Sequence, residues 1–258
     1  MKARRHFLYL AIALALAAIP AFAQQSGADF YNAASAAMKK GDFDTAITDF
    51  TQAIVLMPGA VGTQAYISRG FAKMHKGDMN GALTDFNHAI SLGGKADNAY
   101  YGRALVEQAQ GALDAAIADY HQTLASAPPG GDNPHFYLWL ARVQQNQKAD
   151  ADKELSDYIA KRPTTRKQDW QSKIGGFLLG QVTEANLATY ALSFPNPADQ
   201  SRAQCESWYF IGMKRQIAGE KDAAADDFRK CLGTNQTVLT QYVLAKAAAE
   251  ALDLNPGQ

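Results

Sequence analysis

The stretch TQAYISRGFAKMHKGDMNGALTDFNHAISL, residues 63–92, decides the fold. Within it Gly77 is followed after five residues by Ala82, after four more by Phe86 and after three more by Ala89. The same skeleton returns as Gly41/Ala46/Phe50/Ala53, Gly111/Ala116/Tyr120/Thr123 and Gly219/Ala224/Phe228/Cys231. The glycines stand 36, 34 and 108 residues apart. A period of about 34 marks stacked helix pairs, in which each unit hides its apolar face on its neighbours rather than in one central core.

Working outward, the first pair is expected over Asp29 to Lys40 and Asp42 to Met57. Gly41 suits a left-handed helix end, Asp42 suits the cap of the next helix, and Pro58 pushes Met57 out of helical geometry. Thr63 to Leu92 and Asp97 to Ala127 repeat the layout, and Pro128-Pro129-Gly130-Gly131 stops it. From Asn133 the pattern degrades: Phe136 to Gln145 and Ala149 to Lys161 read as a pair, with Asn146-Gln147-Lys148 in place of the glycine turn. Two further helices are expected over Asp169 to Leu179 and Thr183 to Leu192, and Phe194-Pro195-Asn196-Pro197 reads as a loop. A last hairpin resumes at Gln204, and Val238 to Asp253 reads as a closing helix. The expectation is an all-α, right-handed superhelical solenoid of antiparallel helix pairs, with a degenerate helical middle and a C-terminal capping helix.

Small residues Ala34, Gly70, Ala104 and Gly212, set against Ala46, Ala82, Ala116 and Ala224, would let paired helices approach closely. Phe30, Tyr66, Tyr100 and Trp208 would fill the open ends. Asp49, Asp85, Asp119 and Asp227 each precede the aromatic of a second helix, and Arg69, Arg103 and Arg142 stand in first helices. This order predicts pairing between units, Asp49 with Arg69 and Asp85 with Arg103.

Residues 1–23 read as a secretory signal: a basic start at Lys2, Arg4 and Arg5, an apolar run from Phe7 to Ile19, and the Ala21-Phe22-Ala23 site. The run is short for a bilayer span, so cleavage after Ala23 and a periplasmic or secreted chain without stable membrane insertion are expected. The domain plan is then 24–162 for the first array, 163–203 for a non-repeat connector, and 204–258 for a final unit with its cap. The chain beyond residue 23 carries 22 basic and 25 acidic residues, scattered, which offers nucleic acid or an anionic membrane no electrostatic footprint. Cys205 and Cys231 would meet if the last unit is an antiparallel hairpin, either as a disulfide, which export favours, or as two buried thiols.

The run Ala65-Tyr66-Ile67-Ser68-Arg69-Gly70, with Gly77-Asp78 and Ala82-Leu83-Thr84-Asp85-Phe86, resembles the tetratricopeptide repeat family, as does Cys205 through Cys231. The order of parts, including the Trp170 to Gly180 segment before a final repeat, is similar to exported bacterial repeat proteins of the new lipoprotein I type of envelope adaptor. It departs from them in lacking a lipid-bearing cysteine, since Gln24 follows Ala23. The resemblance implies a non-catalytic protein-binding scaffold, with a cell-wall hydrolase or processing protease as the kind of partner.

No arrangement that catalysis or a cofactor requires stands out. His75, His88, His121 and His135 show no zinc-protease spacing, Gly93-Gly94-Lys95 lacks the context of a phosphate loop, and no Gly-x-Ser-x-Gly elbow occurs. An envelope hydrolase using a loop site stays as an alternative. In the repeat family the first helix of each pair lines the concave side, which singles out Tyr31, Ser35 and Met38; Ile67, Phe71 and Met74; Tyr101, Leu105 and Gln108; and Tyr209, Met213 and Gln216. Each set follows i, i+4, i+7 spacing on one face. This apolar strip is the candidate peptide- or helix-binding groove. The open alternatives are that the middle segment covers it, or that a twin chain does so in a homodimeric scaffold.

Overall fold

Helix ends with left-handed backbone set the rhythm of the chain. In the computed structural model, which describes residues 26–93, 96–126, 131–163, 165 and 169–254, those at the bends within the six hairpins are Gly41, Gly77, Gly111, Asn146, Gly180 and Gly219. At each, the left-handed residue donates its N–H three residues back and the next residue donates five back, as in Gly77 to Met74 and Asp78 to Lys73. Asn146 to Val143 with Gln147 to Arg142, and Gly180 to Phe177 with Gln181 to Gly176, are the same pair of bonds. This is the Schellman closure, which satisfies the carbonyls that a helix end leaves open.

Thirteen α-helices and no strand occur among the described residues. They form six hairpins and a closing helix: α1 (Gly27–Lys40) with α2 (Phe43–Leu56), α3 (Thr63–Lys76) with α4 (Met79–Ser91), α5 (Asp97–Ala109) with α6 (Leu113–Ser126), α7 (Asn133–Gln144) with α8 (Lys148–Lys161), α9 (Trp170–Leu178) with α10 (Glu184–Leu192), α11 (Pro197–Ile217) with α12 (Lys221–Gly233), then α13 (Thr240–Leu254). Asp42 and Asp78 cap α2 and α4 by accepting from Thr45 and Gly81 backbone N–H groups. The expected signal segment and the Pro128-Pro129-Gly130 stop lie outside the described residues.

The segment 163–203 holds the two expected helices, nine residues each and joined by the same closure as the other hairpins. One expectation changes. The loop read at Phe194 to Pro197 ends earlier, because Asn196 caps α11 by accepting from the Asp199 N–H and Pro197 takes the first helical position, where a missing N–H costs nothing. Cys205 consequently sits two turns inside α11 rather than at its start.

Packing follows the small-to-large logic, with a different partner for each glycine. A side chain at Gly70 would meet the Phe86 ring at 2.7 Å, and one at Gly212 would meet Phe228 at 2.7 Å. Gly102 of the next unit also packs on Phe86, where a Cβ would stand 2.4 Å from its Cζ. Ala34, Ala46, Ala82, Ala104, Ala116 and Ala224 are all fully buried, while Phe30, Tyr66, Tyr100 and Trp208 are half-buried at the ends.

The charge ladder forms within hairpins, not between them. Arg69 forks onto Asp85 at 2.8 and 2.7 Å and Arg103 onto Asp119, so the expected Asp49–Arg69 and Asp85–Arg103 pairs do not form. Each pair is placed symmetrically about its turn glycine, eight residues before and eight after, which is where antiparallel helices bring residues side by side. Arg142 reaches Glu154 and Arg215 reaches Asp227 from one turn nearer the bend. The arginines also link units: Nη1 of Arg69 to Thr51, Nη1 of Arg103 to Asn87, and Nη2 of Arg142, shared with Glu154, to His121, each acceptor two residues past the preceding unit's Asp.

Candidate functional site

The first helices of the hairpins run side by side along one face, α1 on α3, α3 on α5, α5 on α7, and then α7 directly on α11. That last contact exists because α9 and α10 are short. It draws Tyr137 of α7 to within 5.9 Å, ring to ring, of Tyr209 of α11, and Tyr101 of α5 to 6.2 Å of Tyr137.

Across this face lies α13. It packs on α12 as a cap should, and also on α11, α5 and α3, so it crosses the concave side of the array. The strand of chain before it reaches the far end: the Thr237 carbonyl lies 3.1 Å from His75 Nδ1, and the Thr237 hydroxyl is 3.3 Å from where a Cβ at Gly41 would stand. His75 also stacks on Phe43, and its burial lowers its pKa. Val243, Leu244, Ala245 and Ala249 of α13 join one core cluster with Ile67, Met74 and Leu105.

The candidate groove residues are therefore distributed unevenly. Ile67, Met74, Leu105, Tyr209 and Met213 are buried, at 0–6 % exposure. Phe71 is half-buried against Phe86, and Tyr101 is half-buried on Tyr120 and Tyr137. Tyr31 and Met38 belong to a separate small cluster of the first unit, with Tyr31 Oη 3.3 Å from Ser68 Oγ. The closing helix lies over Leu105, Tyr209 and Met213 of the strip.

Beneath α13 the floor is not wholly apolar. Gln108, Gln144, Gln216 and Tyr209 line a cleft of about 90 Å³ with Leu105 and Met213, and Leu244, Ala247, Ala248 and Ala251 of α13 roof it. Tyr120 donates its hydroxyl to Gln108 Oε1 at 2.7 Å, and Gln108 Nε2 donates to Gln144 Oε1 at 2.8 Å. The Tyr101 and Tyr137 hydroxyls are buried with no hydrogen-bond partner among the described residues. Burial pushes the phenols of Tyr101 and Tyr209 up, so all stay neutral donors.

The sulfurs of Cys205 and Cys231 face each other at 2.6 Å in the core between α11 and α12, both buried. The Cys205 sulfur and burial push the Cys231 thiol up. Among the described residues, no group of three metal-ligating side chains converges, and no helix is long and apolar enough to cross a membrane.

Residues 30–56, the first hairpin, match the model of the tetratricopeptide repeat family. A tetratricopeptide repeat protein from Parabacteroides merdae is similar over 87% of this chain and 99% of its own, with 17% identity and a TM-score of 0.51. The likeness is one of fold, an all-α array of helix pairs. The tetratricopeptide repeat domain of P58(IPK) aligns more loosely, at 12% identity over 90% of this chain and 67% of that one, with a TM-score of 0.34. No curated protein matches. Tetratricopeptide repeats imply a protein–protein interaction scaffold.

Two features of the site were only partly legible in the sequence. Asn146, read there as standing in the glycine turn's place, and Gly180 keep the period through the middle, and Asn is the side chain that best tolerates left-handed backbone. The seating of α13 in the groove had only a weak sign, its alanine-rich composition.

Proposed function

We propose that the chain is an exported, non-catalytic adaptor whose concave groove takes a helix from a partner protein and is held by its own α13 when that partner is absent. The observation that carries this reading is the seat of α13 across α3, α5 and α11. A groove that already holds a helix has the width and the apolar lining that a helical ligand requires, and helix-in-groove recognition uses anchors at i, i+3, i+4 and i+7. Leu244, Ala245, Ala248, Ala249 and Leu252 supply that pattern in cis. The signal-like residues 1–23 support an envelope location, where a cell-wall hydrolase or processing protease is the class of partner to look for. Export would also favour oxidation of the Cys205–Cys231 pair.

The test is the Leu244→Asp variant of the full chain, which places a carboxylate in the buried contact and loosens α13. The expected result is that this variant retains an envelope protein that wild type retains weakly, and that excess peptide of residues 240–254 releases it. Equal retention by both forms, or no release by the peptide, would contradict the groove as the binding surface. Turnover of cell-wall material by the purified chain would favour the hydrolase reading instead.

A further inference from the structure

We infer that α13 is the lid of a thiol–disulfide exchange site, so that Cys205 and Cys231 react with an external disulfide or dithiol only while α13 is off its seat. This rests on the seat of α13 and stands whether or not a partner competes for the groove.

The two sulfurs lie 2.6 Å apart, and neither cysteine has exposed surface. Cys205 is carried by α11 and Cys231 by α12, the two helices of the last hairpin. The first turn of α13 closes over them. The Cys231 sulfur stands 3.9 Å from the Gln241 carbonyl, Gln241 is itself buried, and Val243, Leu244 and Ala245 join both cysteines in one core cluster.

The chemistry of exchange makes that cover decisive. One cysteine thiolate attacks a small-molecule disulfide such as oxidised glutathione and expels one thiolate; the second cysteine thiolate attacks the mixed disulfide and expels the other. Two cysteine thiols are oxidised, one external disulfide is reduced to two thiols, and the two protons pass to the expelled sulfurs. An external dithiol opens the bonded pair by the same steps in reverse. Either direction needs an outside sulfur in line with a cysteine sulfur, and sulfurs with no exposed surface offer no such approach. The neighbouring sulfur and burial also push the Cys231 thiol up, so the seated form holds little of the attacking thiolate.

Of the helices around the pair, α13 is the one that lifts at least cost. Parting α11 from α12 would separate Arg215 from the fully buried Asp227 and unseat Phe228 from Gly212. By contrast α13 is tied to α12 by the exposed pair Arg229–Asp253 at 3.1 Å, which adds little, and by apolar contact. The covalent state of the pair is therefore written while α13 is away and kept while it is seated. Displacement of α13 is the event that allows it to be rewritten.

The test follows sulfur reactivity in the full chain without denaturant, for wild type, Leu244→Ala and Leu244→Asp, with hydrogen exchange over residues 240–254 measured on the same samples. Chain isolated as the dithiol is treated with oxidised glutathione and chain isolated as the disulfide with dithiothreitol, the extent being read from intact mass. Local opening of α13 should make the rate about tenfold or more higher in Leu244→Asp than in wild type, with Leu244→Ala between them and α13 exchange in the same order. Wild-type sulfurs that react as fast as those of Leu244→Asp while α13 stays protected would overturn the inference. So would a variant whose α13 exchanges fast and whose sulfurs stay inert, and either result leaves the scaffold reading in place. A gain in rate that comes only with lost protection in α1 and α2 would mark general unfolding and count against the lid.

Discussion

Gly102→Ala should destabilise the array although alanine is the better helix former. The Cβ it adds would stand 2.4 Å from Phe86 Cζ and 2.6 Å from Cε1, where carbon atoms prefer about 3.5–4.0 Å. The ring must therefore retreat by roughly an ångström. It has little room to move, since Phe86 is fully buried, the α3 backbone at Gly70 presses so closely that a Cβ there would also meet the ring at 2.7 Å, and Phe71 lies edge-on at 5.1 Å. Overpacking of this kind costs about 1–3 kcal/mol, and exchange of a helix-interior glycine returns about 0.5–1 kcal/mol. The net loss of roughly 1–2 kcal/mol corresponds to a fall in Tm of about 3–6 °C for a chain of this size. Circular dichroism melting and urea unfolding would measure it, and Phe86→Leu combined with Gly102→Ala should recover part of the loss as a non-additive coupling. A neutral or stabilising Gly102→Ala would mean that α5 does not press on Phe86, and the proposed seating of unit on unit would be wrong.

Three further outcomes follow from individual contacts. Arg103→Ala strips the partner from the buried Asp119 and should cost about 3 kcal/mol, whereas Asp49→Asn, at the ladder position with no arginine opposite, should stay within about 0.5 kcal/mol, both read from urea midpoints. Burial against Tyr158 holds the His135 imidazole at about 4, below its ordinary 6.5, so the unfolded chain binds a proton that the folded chain refuses between those values. Stability should fall as pH drops from 6.5 to 4, a nuclear magnetic resonance titration of His135 should have its midpoint near 4, and His135→Gln should flatten the pH dependence; a midpoint near 6.5 would contradict the burial. Chain exported to an oxidising compartment should show an intact mass about 2 Da below the dithiol form and lose about 3 kcal/mol on reduction, the scale expected for closing a loop of 26 residues; an unchanged mass would establish two buried thiols.

How far the sequence carried the reading depended on whether the signal was local. The bends at Gly41, Gly77, Gly111 and Gly219, the caps at Asp42 and Asp78 and the buried alanines were legible because each answers to backbone geometry within a few residues. The bends at Asn146 and Gly180 follow the same geometry but lacked the flanking alanine and aromatic that made the others conspicuous. The arginine ladder was misassigned by sequence order alone. Counting eight residues on either side of Gly77 or Gly111 pairs Arg69 with Asp85 and Arg103 with Asp119, since antiparallel helices mirror about their bend. The candidate groove residues were proposed from the family resemblance and their i, i+4, i+7 spacing, but what lies over Leu105 depends on where a helix some 140 residues later in the chain comes to rest. Short α9 and α10 let α11 reach α7 and turn α13 across the face. No local pattern reports that distance.

The most direct measurement is hydrogen exchange over residues 240–254 in the full chain, alone and with Leu105→Ser on the groove floor. A seated α13 requires protection comparable with α11 and α12, and a marked loss of that protection in the variant while α1 and α2 are unchanged. Fast exchange in the wild-type chain, indifferent to Leu105, would show that the groove is open and that the closing helix does not hold it.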